Sequence, residues 1–217
     1  MRQDRVGRIF SVPPTQTSIE YGNYVEYHPL SSITDSEPIE FDVLSSEKNY
    51  LDFANAQLFV KAKITRGNGD DIKDADHVGG VNLFLHSLFH QVDVSLSDVE
   101  ISQSAGKYAY RAYIESLLSY GPQAKTSQLT AAMYYKETSG NRDRPIPDHA
   151  NAGETNYRLQ KRAAFTDRGA TVDMVGRIHS DIFFQDRYML YEVDDKVRLV
   201  RNKDSFCPMS GRSEPCL

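Results

Sequence analysis

Cysteine is scarce: only Cys207 and Cys216 occur, both near the carboxyl end. Two thiols cannot build a disulfide framework and fall short of the ligand count of a structural zinc site, so a reducing compartment suits the chain. Long apolar runs are missing too. The opening residues, Met1-Arg2-Gln3-Asp4-Arg5-Val6-Gly7-Arg8, are charged where a signal peptide needs ~7–15 apolar residues, and no run approaches the ~18 of a membrane span. The expectation is a soluble chain that is not secreted through a signal peptide. Positive charge is not in excess either. Lys and Arg number 25 against 30 Asp and Glu, and the net charge of −5 supplies no bulk field for nucleic-acid phosphates or an anionic membrane. Apolar residues are also few. Counting Gly in place of Tyr, 13 of each, leaves their share at 40%, below the ~45–50% usual for globular domains, which suggests a surface that a partner covers or a missing segment.

Several chemical signatures are absent. The chain has no Gly-x-Ser-x-Gly nucleophile elbow, no phosphate loop and no paired Cys/His arrangement. No βαβ alternation with a glycine fingerprint supports a parallel nucleotide-binding sheet, and no period of ~20–50 residues marks a solenoid or propeller.

What is present is alternation. At 217 residues the chain fits one domain burying roughly 70% of its unfolded surface. Residues 1–22 read as an extended arm, because Pro13 and Pro14 remove backbone donors. Residues 24–28 and 38–43 alternate as short strands, the second with Ile39, Phe41 and Val43 on one face. The clearest strand spans 57–65, where Leu58, Val60, Ala62 and Ile64 oppose Phe59, Lys61 and Lys63, and Gly67-Asn68-Gly69-Asp70 predicts an exposed turn after it. Residues 81–89 can be a short helix or a buried strand, with the helix favoured, and lead into a strand over 91–96. The best helix is 108–120, with Ala109, Tyr113, Leu117 and Tyr120 at helical spacing and Gly121-Pro122 as its stop; a second helical stretch is 127–135. Residues 141–156, rich in Pro, Asp and Asn, read as a long, mobile interface loop. Strands are expected at 172–175, 177–179 and 196–201, the last with Val197 and Leu199 on one side. Residues 23–206 thus form one mainly β domain, an antiparallel jelly-roll sandwich with its helices confined to connections between Leu96 and Lys136. Residues 207–217 form a tail without regular structure.

Six constellations invite chemical readings. His86 and His90 are four apart, as in a zinc protease helix, but in His86-Ser87-Leu88-Phe89-His90 a serine stands where His-Glu-x-x-His needs its glutamate, so packing or surface roles weigh more. His179-Ser180-Asp181 supplies two thirds of the facial triad that holds iron in oxygenases, yet His179 is the last histidine in the chain. Arg111 and Glu115 sit at helical ion-pair spacing in the weaker orientation, worth about a few tenths of a kcal/mol. Tyr108, Tyr110, Tyr113 and Tyr120 suggest a stacking platform for sugars or bases, against the plainer reading of a helix docked on a sheet. Arg158, Lys161, Arg162, Arg168 and Arg177 form the densest basic region, a local polyanion contact that the net charge opposes. Asp35, Glu37, Glu40 and Asp42 make an acidic cluster whose last two members alternate with Ile39 and Phe41 as the wet face of a strand.

Five stretches, in order, carry a family likeness. They are Ser11-Val12-Pro13-Pro14-Thr15-Gln16-Thr17-Ser18-Ile19, Tyr50-Leu51-Asp52-Phe53-Ala54-Asn55-Ala56, Val81-Asn82-Leu83-Phe84-Leu85-His86-Ser87-Leu88-Phe89, Tyr110-Arg111-Ala112-Tyr113-Ile114-Glu115-Ser116-Leu117-Leu118 and Gly176-Arg177-Ile178-His179-Ser180-Asp181-Ile182-Phe183-Phe184-Gln185. Together, over residues 11–206, the chain resembles the amino-terminal part of the major capsid proteins of Maverick/Polinton elements and adintoviruses. The resemblance implies a double jelly-roll coat protein, three copies of which form a pseudo-hexagonal capsomer tiling an icosahedral shell. It implies contacts with neighbouring capsid subunits and a penton protein, a place in the virion after assembly in cytoplasm or nucleus, and neither specific nucleic-acid binding nor membrane insertion. It carries no catalytic residues, cofactor or metal. His90 and Tyr191-Glu192-Val193-Asp194-Asp195 depart from the family pattern, as does the stretch from Cys207, and the expectation is a truncated or degenerate copy with one jelly roll. Two alternatives stand beside it: a lectin-like jelly-roll module, and an iron-dependent oxygenase using His179 and Asp181.

Overall fold

The computed structural model describes residues 19–30, 32–33, 37–44, 49–73, 78–137, 139–141 and 156–210. The Pro13-Pro14 stretch, Asp35 of the acidic cluster and residues 142–155 of the expected loop lie outside them. Eight strands form among the described residues: β1 (Ile39–Leu44), β2 (Leu58–Ala62), β3 (Val78–Gly80), β4 (Phe89–Leu96), β5 (Val99–Gln103), β6 (Val172–Gly176), β7 (Asp194–Arg201) and β8 (Pro208–Ser210). All their pairings are antiparallel, in a four-stranded sheet of order β1-β7-β4-β5 and two-stranded sheets β2-β6 and β3-β8. Helices α1 (Phe84–Ser87), α2 (Tyr108–Ser119), α3 (Pro122–Thr126) and α4 (Tyr157–Thr166) pack around them. The architecture is mainly β, with antiparallel sheets and a few short helices, and is compatible with a β sandwich. Among the described residues no helix is long and apolar enough to cross a membrane.

Strand alternation builds the core as it should. One face of the large sheet carries the rows Ile39–Leu199–Val92 and Phe41–Val197–Val94 across three strands. Val92, Val94, Val197 and Leu199 are buried, and each such side chain contributes roughly 1.5–3 kcal/mol of transfer free energy. The next row of the same face is Val43–Asp195–Leu96, so a carboxylate takes a position that period two reserves for an apolar residue. Ser97 and Asp98, at φ +46° and +63°, close the β4–β5 hairpin with the two-residue turn whose twist matches its strands.

Several elements differ from the sequence reading. Residues 24–28 make no ladder: Tyr24 and Val25 are exposed, and the segment only runs beside β1, with Leu30 N–H donating to Glu40 O and the Tyr27 hydroxyl to Leu44 O. Alternation without a partner and a covered face does not make a strand. Residues 177–179 are not a strand either, because the Arg177 side chain turns back to the Phe183 carbonyl and the chain enters a 3-10 turn at Asp181–Phe184. The helical stretch expected at 127–135 starts earlier, since Pro122 suits the first position of α3; a 3-10 segment, Gln128–Ala132, follows and ends at Met133 in the left-handed region.

Helices are not confined to 96–136: α1 precedes that region and α4 follows it. Asn156 caps α4 by accepting the Leu159 N–H, 3.3 Å away. The buried side of α4 is Leu159, Arg162 and Thr166, too polar for hydrophobic periodicity to reveal. It lies directly on β3, where a Cβ at Gly79 would come within 3.0 Å of Ala163 Cβ and Leu159 Cδ1. The expected structureless tail begins inside the fold: Cys207 is buried, its carbonyl accepts the Val81 N–H, and β8 pairs with β3. Residues 211–217 lie outside the described residues.

Candidate functional site

Helix α2 forms where the pattern predicts, but turned by one residue. Ala109, Tyr113, Leu117 and Tyr120 are expected inward; the buried face is Tyr108, Ala112 and Ser116, and Leu117 is exposed. The small Ala112 and Ser116 let the helix sit close. The turn also points Tyr108 and, less deeply, Arg111 and Glu115 at a polar interior shared with α1 and residues 177–181.

There the side chains connect into one network. The Tyr108 hydroxyl lies 3.0 Å from His86 Nδ1 and accepts the His179 backbone N–H at 3.3 Å. The His179 ring donates from Nδ1 to Glu115 Oε2 at 2.8 Å. Arg111 Nε donates to Glu115 Oε1 at 2.7 Å, and Arg111 Nη2 to Asp181 Oδ1 at 2.5 Å. Ser180 Oγ donates to Ser102 Oγ at 2.8 Å, tying the segment to β5. The rings of His86 and His179 meet edge to face, with centroids 4.7 Å apart. Behind them β6 ends on Gly176, where a Cβ would lie 2.6 Å from Leu85 Cδ2 and 3.1 Å from His86 Nε2, so only glycine admits this approach.

Electrostatics follow from burial. His86 titrates well below the ordinary imidazole value, because it is desolvated and because His179 is beside it. His179 is also lowered, burial outweighing its bond to Glu115. Burial raises the Tyr108 phenol, which holds its proton throughout the physiological range. Both imidazoles are therefore neutral at pH 7, and the arrangement is a relay of satisfied hydrogen bonds.

The sequence pairs Arg111 with Glu115 as the structure does, but it gives the histidines, Asp181 and Tyr108 other partners. His86 and His90 do not share a helix: His86 is buried in α1, whereas His90 is exposed on β4. His179 and Asp181 are not joined by a third donor, for among the described residues no three His, Cys, Asp or Glu side chains converge as a metal requires. Their nearest partners are Glu115 and Arg111. Of the tyrosines, Tyr108 is buried and Tyr110 exposed, on opposite sides of α2, so no common platform forms. An open depression of about 510 Å³ is lined by Asp70, Asp71, Ile72, Lys73 and Arg168 and includes no member of the network.

The basic region is divided by the fold. Arg162 is fully buried; its Nε donates to Gly80 O at 2.8 Å, Nη1 to Tyr135 O at 3.1 Å and Nη2 to Glu137 Oε1 at 2.5 Å. Arg177 turns to the Phe183 carbonyl and stacks 4.2 Å over the Phe184 ring. Neither joins Arg158, Lys161 and Arg168 in an outward stripe. Another buried charge, Asp195, is marked in the sequence only as part of a departure from the family pattern. Asp195 is 1% exposed, and among the described residues neither of its oxygens has a hydrogen-bond partner. Burial, then the charge of Asp194, pushes its pKa up to about 6.

No protein-family model matches the chain. It is similar to an uncharacterized protein of Caenorhabditis elegans, 28% identical over an alignment of 133 residues that covers 58% of this chain and 32% of that protein. The match thus spans about a third of the relative's length.

Proposed function

We propose that the chain is a structural subunit: a jelly-roll coat protein of the Maverick/Polinton and adintovirus kind, which works by binding copies of itself. The observation that carries the reading is the outer face of α2. Tyr110, Ile114, Leu117 and Leu118 are 61%, 53%, 44% and 77% exposed, and their spacing makes one continuous apolar stripe along the helix. A row of large apolar side chains left in water is the signature of a surface that another protein covers. Val99 and Ile101 are exposed in the same way on β5, the edge of the large sheet, where unpaired backbone groups can accept a further strand.

The jelly roll is supported by how the strands nest. β1 pairs with β7 in one sheet, and β2 with β6 in another, both antiparallel. Early strands joined to late ones in this order are what results when a long antiparallel hairpin rolls up into two layers. In this reading the assembled unit is a trimeric capsomer meeting neighbouring capsid subunits and a penton protein, and its place is the virion. The work is mechanical and calls for no reacting group.

Sedimentation of the chain over a wide concentration series tests the proposal. Self-association is expected, and Ile114→Glu with Leu118→Glu, both at exposed positions of α2, should leave the fold intact and the chain monomeric. A wild-type chain that stays monomeric at high concentration would overturn the reading.

A further inference from the structure

The network beneath α2 has a chemical asymmetry. The Tyr108 hydroxyl accepts the His179 backbone N–H and has one proton to give, which goes to His86 Nδ1. His86 is therefore the acceptor, with its own hydrogen on Nε2. A second proton on His86 must go to Nδ1, where it sets N–H against O–H across 3.0 Å. Tyr108 can then only turn its hydrogen away from the one acceptor the network provides.

Charge compounds the conflict. His86 faces Tyr108 from α2 and His179 from the segment after β6. His179 faces Glu115 and Arg111 from α2, His86 from α1, and Arg177 of its own segment. Among the described residues Glu115 is the one carboxylate bonded to the pair, through His179, and it is shared with Arg111, while Asp181 is exposed and taken up by Arg111. The geometry points to an acid-sensitive latch: protonation of the His86–His179 pair parts α2 and residues 177–184 from α1, and leaves the β1-β7-β4-β5 sheet in place. The sheet is independent of the pair because its rows are held by backbone ladders and by Val92, Val94, Val197 and Leu199.

The direction follows from linkage. Both imidazoles are held below their ordinary value in the closed form, so the open form binds protons more tightly. The latch is closed at and above the ordinary histidine range and is lost as pH falls through the depressed values.

Hydrogen exchange of the full chain, corrected for intrinsic rates, tests this between about pH 7.5 and about pH 4.5, a range that spans histidine titration. Amides of α1 and α2 should lose about tenfold or more of their protection at the acid end, while those of β4 and β7 keep theirs. The double variant His86→Gln, His179→Gln should keep α2 protected in acid. If that variant fails to fold at neutral pH, Glu115→Gln carries the test: with the one counter-charge gone, opening should move to higher pH. Protection of α2 that is constant across the range, or that is lost equally in β4 and β7, or an opening unmoved by the variant examined, would overturn the latch.

Discussion

Arg162 and Asp195 are both charged side chains withdrawn from water, and the fold treats them in opposite ways. Arg162 enters α4's contact with β3 and finds two carbonyls and the Glu137 carboxylate waiting for its fork of donors. Asp195 sits in the third apolar row of the large sheet, between Val43 and Leu96, and finds nothing. A buried charge with its partners in place becomes part of the scaffold, whereas one without them is a standing cost that a proton can relieve. The same degree of burial therefore predicts opposite signs on mutation.

The largest effect should come from breaking the satisfied site. Arg162→Met leaves Glu137 largely buried without its counter-charge, and should lower unfolding free energy by about 3–5 kcal/mol in denaturant titrations. A loss under about 1 kcal/mol would place Arg162 among ordinary surface pairs and dissolve the contrast. Asp195→Asn should move the other way. With its pKa at about 6 in the fold and near the usual 4 unfolded, Asp195 is neutral to stability below that lower value. Stability then falls as pH rises from about 4 to about 6 and stays reduced above, by about 2–3 kcal/mol. The variant should thus be more stable than wild type by that amount at about pH 8 and equal to it at about pH 4; taking the difference removes the opposing histidine contribution. An equal stability at both pH values would mean that Asp195 finds a partner after all. The smallest effect sharpens the Arg162 side: Asn156 caps α4 and also donates to Glu137 Oε2, so Asn156→Ala should cost about 1 kcal/mol, read from the thermal midpoint.

The same contrast shows what could be read from residue order. Val197 and Leu199 announce an inward face by alternation, and β7 has it; nothing in the pattern marks Asp195 as sharing it, because two apolar neighbours and one acid look like a strand beginning one step later. Helix α4 is invisible for a related reason, its buried stripe containing an arginine and a threonine that become acceptable inside only once Gly80, Tyr135 and Glu137 are in reach. The relay under α2 is the sharpest case. His86, Tyr108, Arg111, Glu115, His179 and Asp181 all attract notice as sequence, but as a zinc spacing, a tyrosine group, an ion pair and an iron motif. The bonds that matter join positions 22, 64 and 71 residues apart.

Residue order alone determined that antiparallel strands would dominate, where most of them run, and that a helix would follow residue 107, because backbone geometry imposes periods of two and 3.6 on any chain that must bury one face. Which face of α2 turns inward, which charges are neutralised and which histidines touch were decided only when distant segments closed on one another. Hydrogen bonds and desolvation depend on atoms within a few ångströms, and only the folded chain sets which atoms those are.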